Sequence, residues 1–374
     1  MSKIIRRWVD EEELLRISTR CVGTPFHHLK DGEFVGYVHW KPAVMAETGG
    51  DFLVTYRGDL IRLLYKTAKE AGAQITFGAE VVVTLANGDV LTCDILIGAD
   101  GVRSRVREVV LEDDDDCLEP AGMTLYTGIV DAEDMLKDDD LRPFVLSDEW
   151  PIWMGEHRSL AGHPMVMREN KFYFHFYSHQ HDTIPKAPRP IHPAVDQLAP
   201  ELVRTTSMRH DDIDDWIDAT GASPSSATRH THQWCPGGSH ACSMAVEDAT
   251  VLGSLFSRIT LLDEIPTLLS AYHELRERRA AFGAAADWSN ARMLVWPEGP
   301  AAAARDEDMR RRKDEWDEGT VKKEFEEIAE LFLYDAYDAA EEWWLNWGRF
   351  SESARARPAL SFDFFAVSTV QCES

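Results

Sequence analysis

The sequence predicts an α/β protein with a buried parallel strand, a strand-rich second lobe and a helical end. Three observations lead there. The stretch Asp94-Ile95-Leu96-Ile97-Gly98-Ala99-Asp100-Gly101 sets a short apolar run, the length of a buried parallel strand, against a turn of small and acidic residues. Aromatic-rich, strand-like segments dominate residues 123–177. Long 3.6-period patterns then follow from Glu247 onward.

Taken in order, residues 1–50 read as a peripheral segment. Ile4, Ile5, Trp8, Leu14 and Leu15 share a helical face, and Phe34-Val35-Gly36-Tyr37-Val38 forms a short strand. Residues 58–72 read as a helix: Leu60, Ile61, Leu63, Leu64, Ala68 and Ala71 line one face, Asp59 suits the positive end of the dipole, and Gly72 is the stop. Gln74–Phe77, Glu80–Leu85 and Val90–Cys93 are short strand candidates, with Asn87-Gly88 as a hairpin turn. The strand at Ile95 then delivers Gly98-Ala99-Asp100-Gly101 to the carboxyl edge of a sheet, where open α/β folds bind ligands. Ser104 is placed to cap a helix carrying Val106, Val109, Val110 and Leu111.

The acidic run Glu112–Asp116 reads as a solvated loop marking a change of lobe. Strands are expected at Met123–Val130, Ile152–Met154, Met165–Met167 and Phe172–Tyr177. Trp153, Phe174, His175 and Phe176 are candidate pocket residues there; the competing reading is plain sheet packing. Pro185, Pro188, Pro190 and Pro193 make an irregular connection, and 198–220 is expected to be helical through Leu202, Val203, Ile213, Trp216 and Ile217. Gly221–Gly238 has no hydrophobic period. Within it and just beyond, His230, His232, Cys235, His240 and Cys242 offer zinc-type donors, though not at a spacing that names a zinc motif.

From Glu247 a helix carries Val246, Ala249, Val251, Leu252, Leu255 and Phe256 towards a core. A second runs from Ile265 to about Asn290, with Arg276-Glu277-Arg278-Arg279 at its centre. Those arginines would meet an anionic cofactor or pair with glutamates on a solvated face. The tail, 307–350, is a charged amphipathic helical segment in which Trp343 and Trp347, four residues apart, share a face.

The 374 residues can bury a substantial core in two lobes. With 65 acidic against 39 basic residues and a formal charge of -26, a general nucleic-acid or anionic-membrane surface is excluded, because phosphates would be repelled. Six scattered cysteines (Cys21, Cys93, Cys117, Cys235, Cys242, Cys372), with no signal-peptide pattern, read as reduced thiols of an intracellular, cytoplasmic protein. No segment has the length and apolarity of a transmembrane helix, and Cys372 is not placed for prenylation.

The acidic turn at Asp100-Gly101 resembles the "DG" motif of the FAD-dependent aromatic hydroxylases, the salicylate-hydroxylase-like flavoprotein monooxygenases of fungal type. Tyr56-Arg57-Gly58-Asp59-Leu60 is similar to that family's Arg-x-Asp-Leu segment, and Met244-Ala245-Val246-Glu247-Asp248-Ala249 to its helix after the flavin-contacting loop. The three stand in family order. Two family segments have no counterpart: the amino-terminal Gly-x-Gly-x-x-Gly turn that receives the FAD pyrophosphate, and the Gly-Asp pair whose aspartate bonds the ribityl chain.

The resemblance implies an incomplete Rossmann-like FAD-binding domain with an inserted antiparallel substrate-binding sheet and a helical C-terminal region. Its implied boundaries are 1–112 for a partial FAD-binding domain, 113–200 for the substrate lobe, 201–300 for the return to the FAD-binding domain, and 301–374 for a helical extension. It further implies FAD as cofactor, NADPH or NADH as electron donor, and dioxygen and an aromatic or polyketide-like small molecule as reactants, within secondary metabolism. Arg57, Asp100, Gly101, Ala241 and Cys242 are the implied cofactor-binding residues; no residue identifies itself as a catalytic base. The alternative is a truncated, redox-inactive homologue, or a small-molecule-binding protein that no longer holds FAD.

Overall fold

The computed structural model describes residues 1–77, 81–82, 84–85, 94–101, 104, 106, 119–165, 170–179, 202–209, 216–217, 226–229, 235, 237–314, 329–348 and 364–368. The Asn87-Gly88 turn, the acidic run 112–116, the proline-rich connection and residues 221–225 lie outside that description, as do most residues of the helix expected after Ser104.

The chain opens with two short helices, α1 (Ser2–Ile5) and α2 (Glu11–Arg16), then β1 (Ser18–Arg20), β2 (Gly23–His28) and β3 (Phe34–His39). Helix α3 (Pro42–Thr48) and β4 (Leu53–Thr55) lead into α4 (Arg57–Glu70). The α4 helix ends where the Leu60/Leu63 face runs out and Gly72 turns the backbone at φ +91°. The short strands β5 (Val81–Val82) and β6 (Thr84–Leu85) pair with each other, whereas 74–77, expected as a strand, forms none; Phe77 there is exposed, lies against the Tyr65 ring of α4 and has no strand partner among the described residues.

Next come β7 (Ile95–Ala99), β8 (Glu119–Asp131), the short helices α5 (Ala132–Met135) and α6 (Arg142–Val145), and β9 (Ile152–Gly155), β10 (Arg158–Met165) and β11 (Lys171–His179). Strands β12 (Leu202–Arg209) and β13 (Ser226–Arg229) follow. Helices α7 (Ala241–Phe256), α8 (Ile265–Leu294), α9 (Pro300–Asp314) and α10 (Ala336–Trp347) precede β14 (Phe364–Ser368).

The expected helix over 198–220 is corrected by β12. The alternating, β-branched run Val203-Arg204-Thr205-Thr206 pairs antiparallel with β8, and that ladder outweighs the loose spacing of apolar points that suggested a helix.

Two layers position the site. In the first, β7 lies between β13 and β14, parallel to both. Its Ile95 and Ile97 enter a core shared with Ile4 and Ile5, Leu60 and Leu63, Val251 and Leu255, and Leu268 and Leu269. Fully burying each large aliphatic contributes about 1.5–3 kcal/mol, so this cluster fastens α1, α4, α7 and α8 to the strand. Trp343 and Trp344 pack on the same core, while Trp347, expected beside Trp343, is exposed.

In the second layer, seven strands run in the order β12-β8-β11-β10-β9-β2-β3, antiparallel except where β2 meets β9. Strand alternation splits its side chains. Phe172 and Phe174 face α5 and α6 with Val130, Met135 and Val145. The opposite face presents His163, His175 and Tyr177, and in the adjoining strands Phe26, Ile152 and Ala161, with Leu294 of α8 and Met309 of α9 packed against the latter. Helix α9 approaches β3 closely at Gly36, where a Cβ would lie 2.8–2.9 Å from Met309 atoms.

Candidate functional site

The large sheet faces the amino end of α7 across two adjoining cavities. The first, about 260 Å³, lies between 50–55, the histidines of β10 and β11, the loop into α7 and residues 331–334. The second, about 650 Å³, is mainly apolar: Phe26, Trp40, Ile152, Ala161, Leu294 and Met309 contribute walls, and Asp287, Arg305 and Asp308 contribute charge. Gly237, Ser239, His240, Trp150 and Phe332 line both.

The loop Gly237–His240 is held by two residues, Tyr177 and Asp287. Tyr177 Oη donates to the Gly237 carbonyl at 3.0 Å. The backbone N–H of His240 donates to both carboxylate oxygens of Asp287 at 3.2 Å, and His240 Nδ1 meets Asp287 Oδ1 at 2.6 Å. Because an ionised carboxylate only accepts, Nδ1 carries the proton in that contact and Nε2 is the remaining ring nitrogen. A side chain at Gly238 would collide with the Asp287 carboxylate and with the Cys235 carbonyl.

Below the loop, Glu247 of α7 is gripped by α8. It accepts from Arg276 Nη1 at 3.0 Å and from Arg279 Nε and Nη2 at 3.1 and 3.0 Å; Arg276 Nε also reaches Asp248 at 2.6 Å. The arginine-rich centre of α8 and the Glu247-Asp248 pair are thus two halves of one network. It is buried, not on the solvated face the sequence suggested: Arg276 is 0% exposed. Arg279 also donates to the carbonyls of Glu330 and Leu331 at 2.8 and 2.7 Å, fixing the helical turn whose Phe332 lines both cavities.

Burial holds His163 and His175 neutral. Their pKa values are pushed down to about 3 and about 4, with His175 adding to the effect on His163. His163 stacks on Tyr173 at 5.7 Å, and His175 Nδ1 lies 3.2 Å from Thr127 Oγ1. Burial likewise raises the Cys235 thiol to about 12 and the Tyr177 phenol well above its usual range, Asp287 adding to both. These groups stay protonated at neutral pH.

The five sequence-predicted site residues fall around the cavities and line neither. Arg57 opens α4 two residues after Thr55, a wall of the first cavity, and Tyr56 beside it meets Tyr173 edge-on at 6.3 Å. Ala241 and Cys242 form the first turn of α7, flanked by the cavity residues His240 and Ser243. Loss of hydration raises the Cys242 thiol pKa while the Arg57 charge pulls it down, so Arg57 and Cys242 share one electrostatic neighbourhood. Asp100 is buried and accepts from Ser104 Oγ at 2.5 Å and from the Val106 N–H at 3.4 Å; Gly101 takes φ +78° in the open turn.

Of the aromatic pocket candidates, only His175 is among those lining residues; Phe174 faces the α5–α6 core and Trp153 meets Phe144 of α6. His163, Trp150 and Asp287 were not singled out from the sequence. The parity of His163 with Tyr173 across the β10–β11 register was the available signal for the first. The zinc-type donors do not converge among the described residues: Cys235 Sγ contacts Met123 Sδ, His240 is taken by Asp287, and His230 and His232 lie outside the description.

A flavin-type ligand can be tested against the first cavity. The buried His163 ring and the Tyr334 hydroxyl, which meets Arg276, line it, and Trp150 Nε1 is buried there without a hydrogen-bond partner among the described residues. Leaving such a group unpaired costs about 1–3 kcal/mol, which a polar heteroaromatic ring would recover. The α7 amino end adds unsatisfied backbone N–H groups suited to a partial negative charge. The volume is below the roughly 300–1,000 Å³ of whole-ligand pockets, so the residues present fit the ring head of a cofactor rather than a whole dinucleotide.

The fold defines a class: an α/β framework with an inserted mixed sheet roofing a buried pocket, as in FAD-binding hydroxylases. A salicylate hydroxylase solved with its substrate superposes with a TM-score of 0.68 over 96% of this chain and 89% of that one, at 15% identity. No family profile matches the chain. Its curated homologues are FAD-dependent monooxygenases and hydroxylases. The FAD-dependent monooxygenase atnJ of an Arthrinium species is 24% identical over 332 residues, covering 80% of this chain and 76% of that protein. Hispidin-3-hydroxylase of Neonothopanus nambi is 24% identical over 343 residues, covering 78% and 76%. The chain is thus similar in sequence to FAD-dependent monooxygenases and hydroxylases and in fold to a salicylate hydroxylase.

Proposed function

We propose that the protein is a FAD-dependent monooxygenase that hydroxylates an aromatic or polyketide-like small molecule, with NADPH or NADH as electron donor. The observation that carries this reading is the pairing of a smaller cavity, bordered by the Trp150 indole N–H and the neutral His163 and His175 rings, with a larger apolar one across the His240 loop. The homologues' shared chemistry supports it.

Trp150, His163, Tyr334 and the first turn of α7 hold the ring head of FAD, which supplies the two-electron and dioxygen chemistry when bound. Arg57, Ala241 and Cys242 flank that ring site, and Asp100 and Gly101 form the sheet-edge turn on the cofactor side. The walls of the 650 Å³ cavity exclude water and present the substrate carbon to the ring site. Neutral His163 and His175 offer hydrogen bonds without bringing a charge into the pocket.

The test is steady-state oxidation of NADPH and NADH by the FAD-reconstituted protein across a panel of phenols and polyketide aromatics. Oxidation stimulated by at least one of them, with hydroxylated product found by mass spectrometry, is expected. Flavin-loaded protein that oxidises neither nucleotide with any of them would overturn the proposal in favour of a redox-inactive binding protein.

A further inference from the structure

The second cavity has one ionisable pair built into its wall, on the side shared with the first. His240 is oriented by two kinds of contact with Asp287, through its ring and through its own backbone N–H. Asp287 is only 3% exposed, and among the described residues its hydrogen bonds come from His240 alone. Gly238 leaves the space that the carboxylate fills. This arrangement commits Nδ1 to Asp287 and leaves Nε2 as the ring nitrogen without a hydrogen bond among the described residues, on a side chain that borders both cavities.

We infer that His240 is the proton acceptor for an acidic hydroxyl, phenolic or enolic, of a ligand in the apolar cavity, and that Asp287 is its positioning residue. The inference rests on the proposed monooxygenase reading and assigns it a base. In the step, the substrate O–H bond breaks, the proton goes to His240 Nε2, and the electron pair stays on oxygen as a phenolate or enolate. The resulting imidazolium is stabilised by the Asp287 carboxylate at Nδ1. The negative oxygen enriches the ring carbon that is to be oxygenated, so the dyad prepares the substrate without touching the redox chemistry. His39, Lys41, Arg305 and Asp308 also border this cavity, but Arg305 is engaged by Asp306 and the Met293 carbonyl.

The probe is 4-nitrophenol, whose phenolate absorbs visible light and whose neutral form does not, added to the purified chain without NAD(P)H at a pH below the probe's own pKa. Bound probe is expected to show about tenfold more phenolate than free probe, the size of shift that an opposite charge within contact distance produces. H240Q is expected to bind the probe and lose the shift, and D287N to reduce it, with the circular dichroism of both unchanged. Binding without added phenolate, or a shift that survives H240Q, would overturn the dyad while leaving the monooxygenase reading intact. No binding at all would overturn the placement of an acidic hydroxyl in this cavity. Because no cofactor turnover is read, failure of the monooxygenase reading shows separately, as flavin-loaded protein that oxidises no NAD(P)H.

Discussion

Replacing Glu247 by alanine strips the carboxylate from the centre of the α7–α8 interface. Glu247 accepts from two guanidiniums through three bonds of 3.0–3.1 Å, and the three side chains are 0–8% exposed. Removing one partner of a buried ion pair costs about 3–5 kcal/mol, because the remaining charge is left uncompensated. Here the two arginines differ. Arg276 keeps Asp248 at 2.6 Å, whereas Arg279 keeps the neutral carbonyls of Glu330 and Leu331 and the Tyr334 ring, with no second carboxylate among the described residues. One stranded charge rather than two puts the expected loss at the low end, about 3 kcal/mol.

Urea unfolding reads this as a lowered midpoint at unchanged slope. Glu247→Gln, which keeps an acceptor, is expected to lose less. A loss below about 1 kcal/mol for Glu247→Ala, a size typical of exposed pairs, would refute the claim that this network holds the helix pair together. Limited proteolysis adds a local readout: cleavage within 329–334 is expected to rise, since Arg279 anchors that segment.

Three further outcomes are expected. His163 and His175 have folded pKa values depressed from 6.5 to about 3 and about 4, so the unfolded chain binds more protons between those values. Stability from the pair is therefore complete above about pH 6.5 and lost as pH falls towards 4 and 3; the double change to glutamine is expected to flatten the pH dependence of the urea midpoint in that window, and an unchanged slope would contradict it. Gly36→Val puts a branched side chain against the Met309 backbone, with an expected loss of about 1–3 kcal/mol by thermal or urea unfolding. Arg57→Ala is expected to weaken FAD retention several-fold in equilibrium dialysis with the fold intact; wild-type retention would remove Arg57 from the cofactor's surroundings.

The elements that strong local patterns specify were legible in the sequence. The Leu60/Leu63 face with Gly72 behind it, the Ile95–Ile97 strand, and the two long helices each satisfy period and terminator at once. Segment 202–209 misled because its apolar points are few and its strand character becomes decisive only when β8 supplies the ladder. Strand β14 was invisible for a similar reason: a parallel partner in residues 364–368 is joined to Ile95 across most of the chain.

The site was legible in its neighbourhood and not in its chemistry. Arg57 is near enough to Cys242 for its charge to act on that thiol, but the cavity walls are made by residues whose meaning depends on register. One position along β11 separates His175, facing the first cavity, from Phe174 and Phe176, facing away. The His240–Asp287 pair spans 47 residues and two elements, so no local pattern could announce it.

The central claim is that this chain holds a flavin against the roofing sheet. The measurement is the visible absorbance spectrum of the purified protein before and after addition of FAD, with unbound flavin removed by gel filtration. Flavin bands that co-elute with the protein, and that weaken when Arg57 or His163 is replaced, are the predicted result. Protein that remains colourless after reconstitution while retaining its fold would contradict the account.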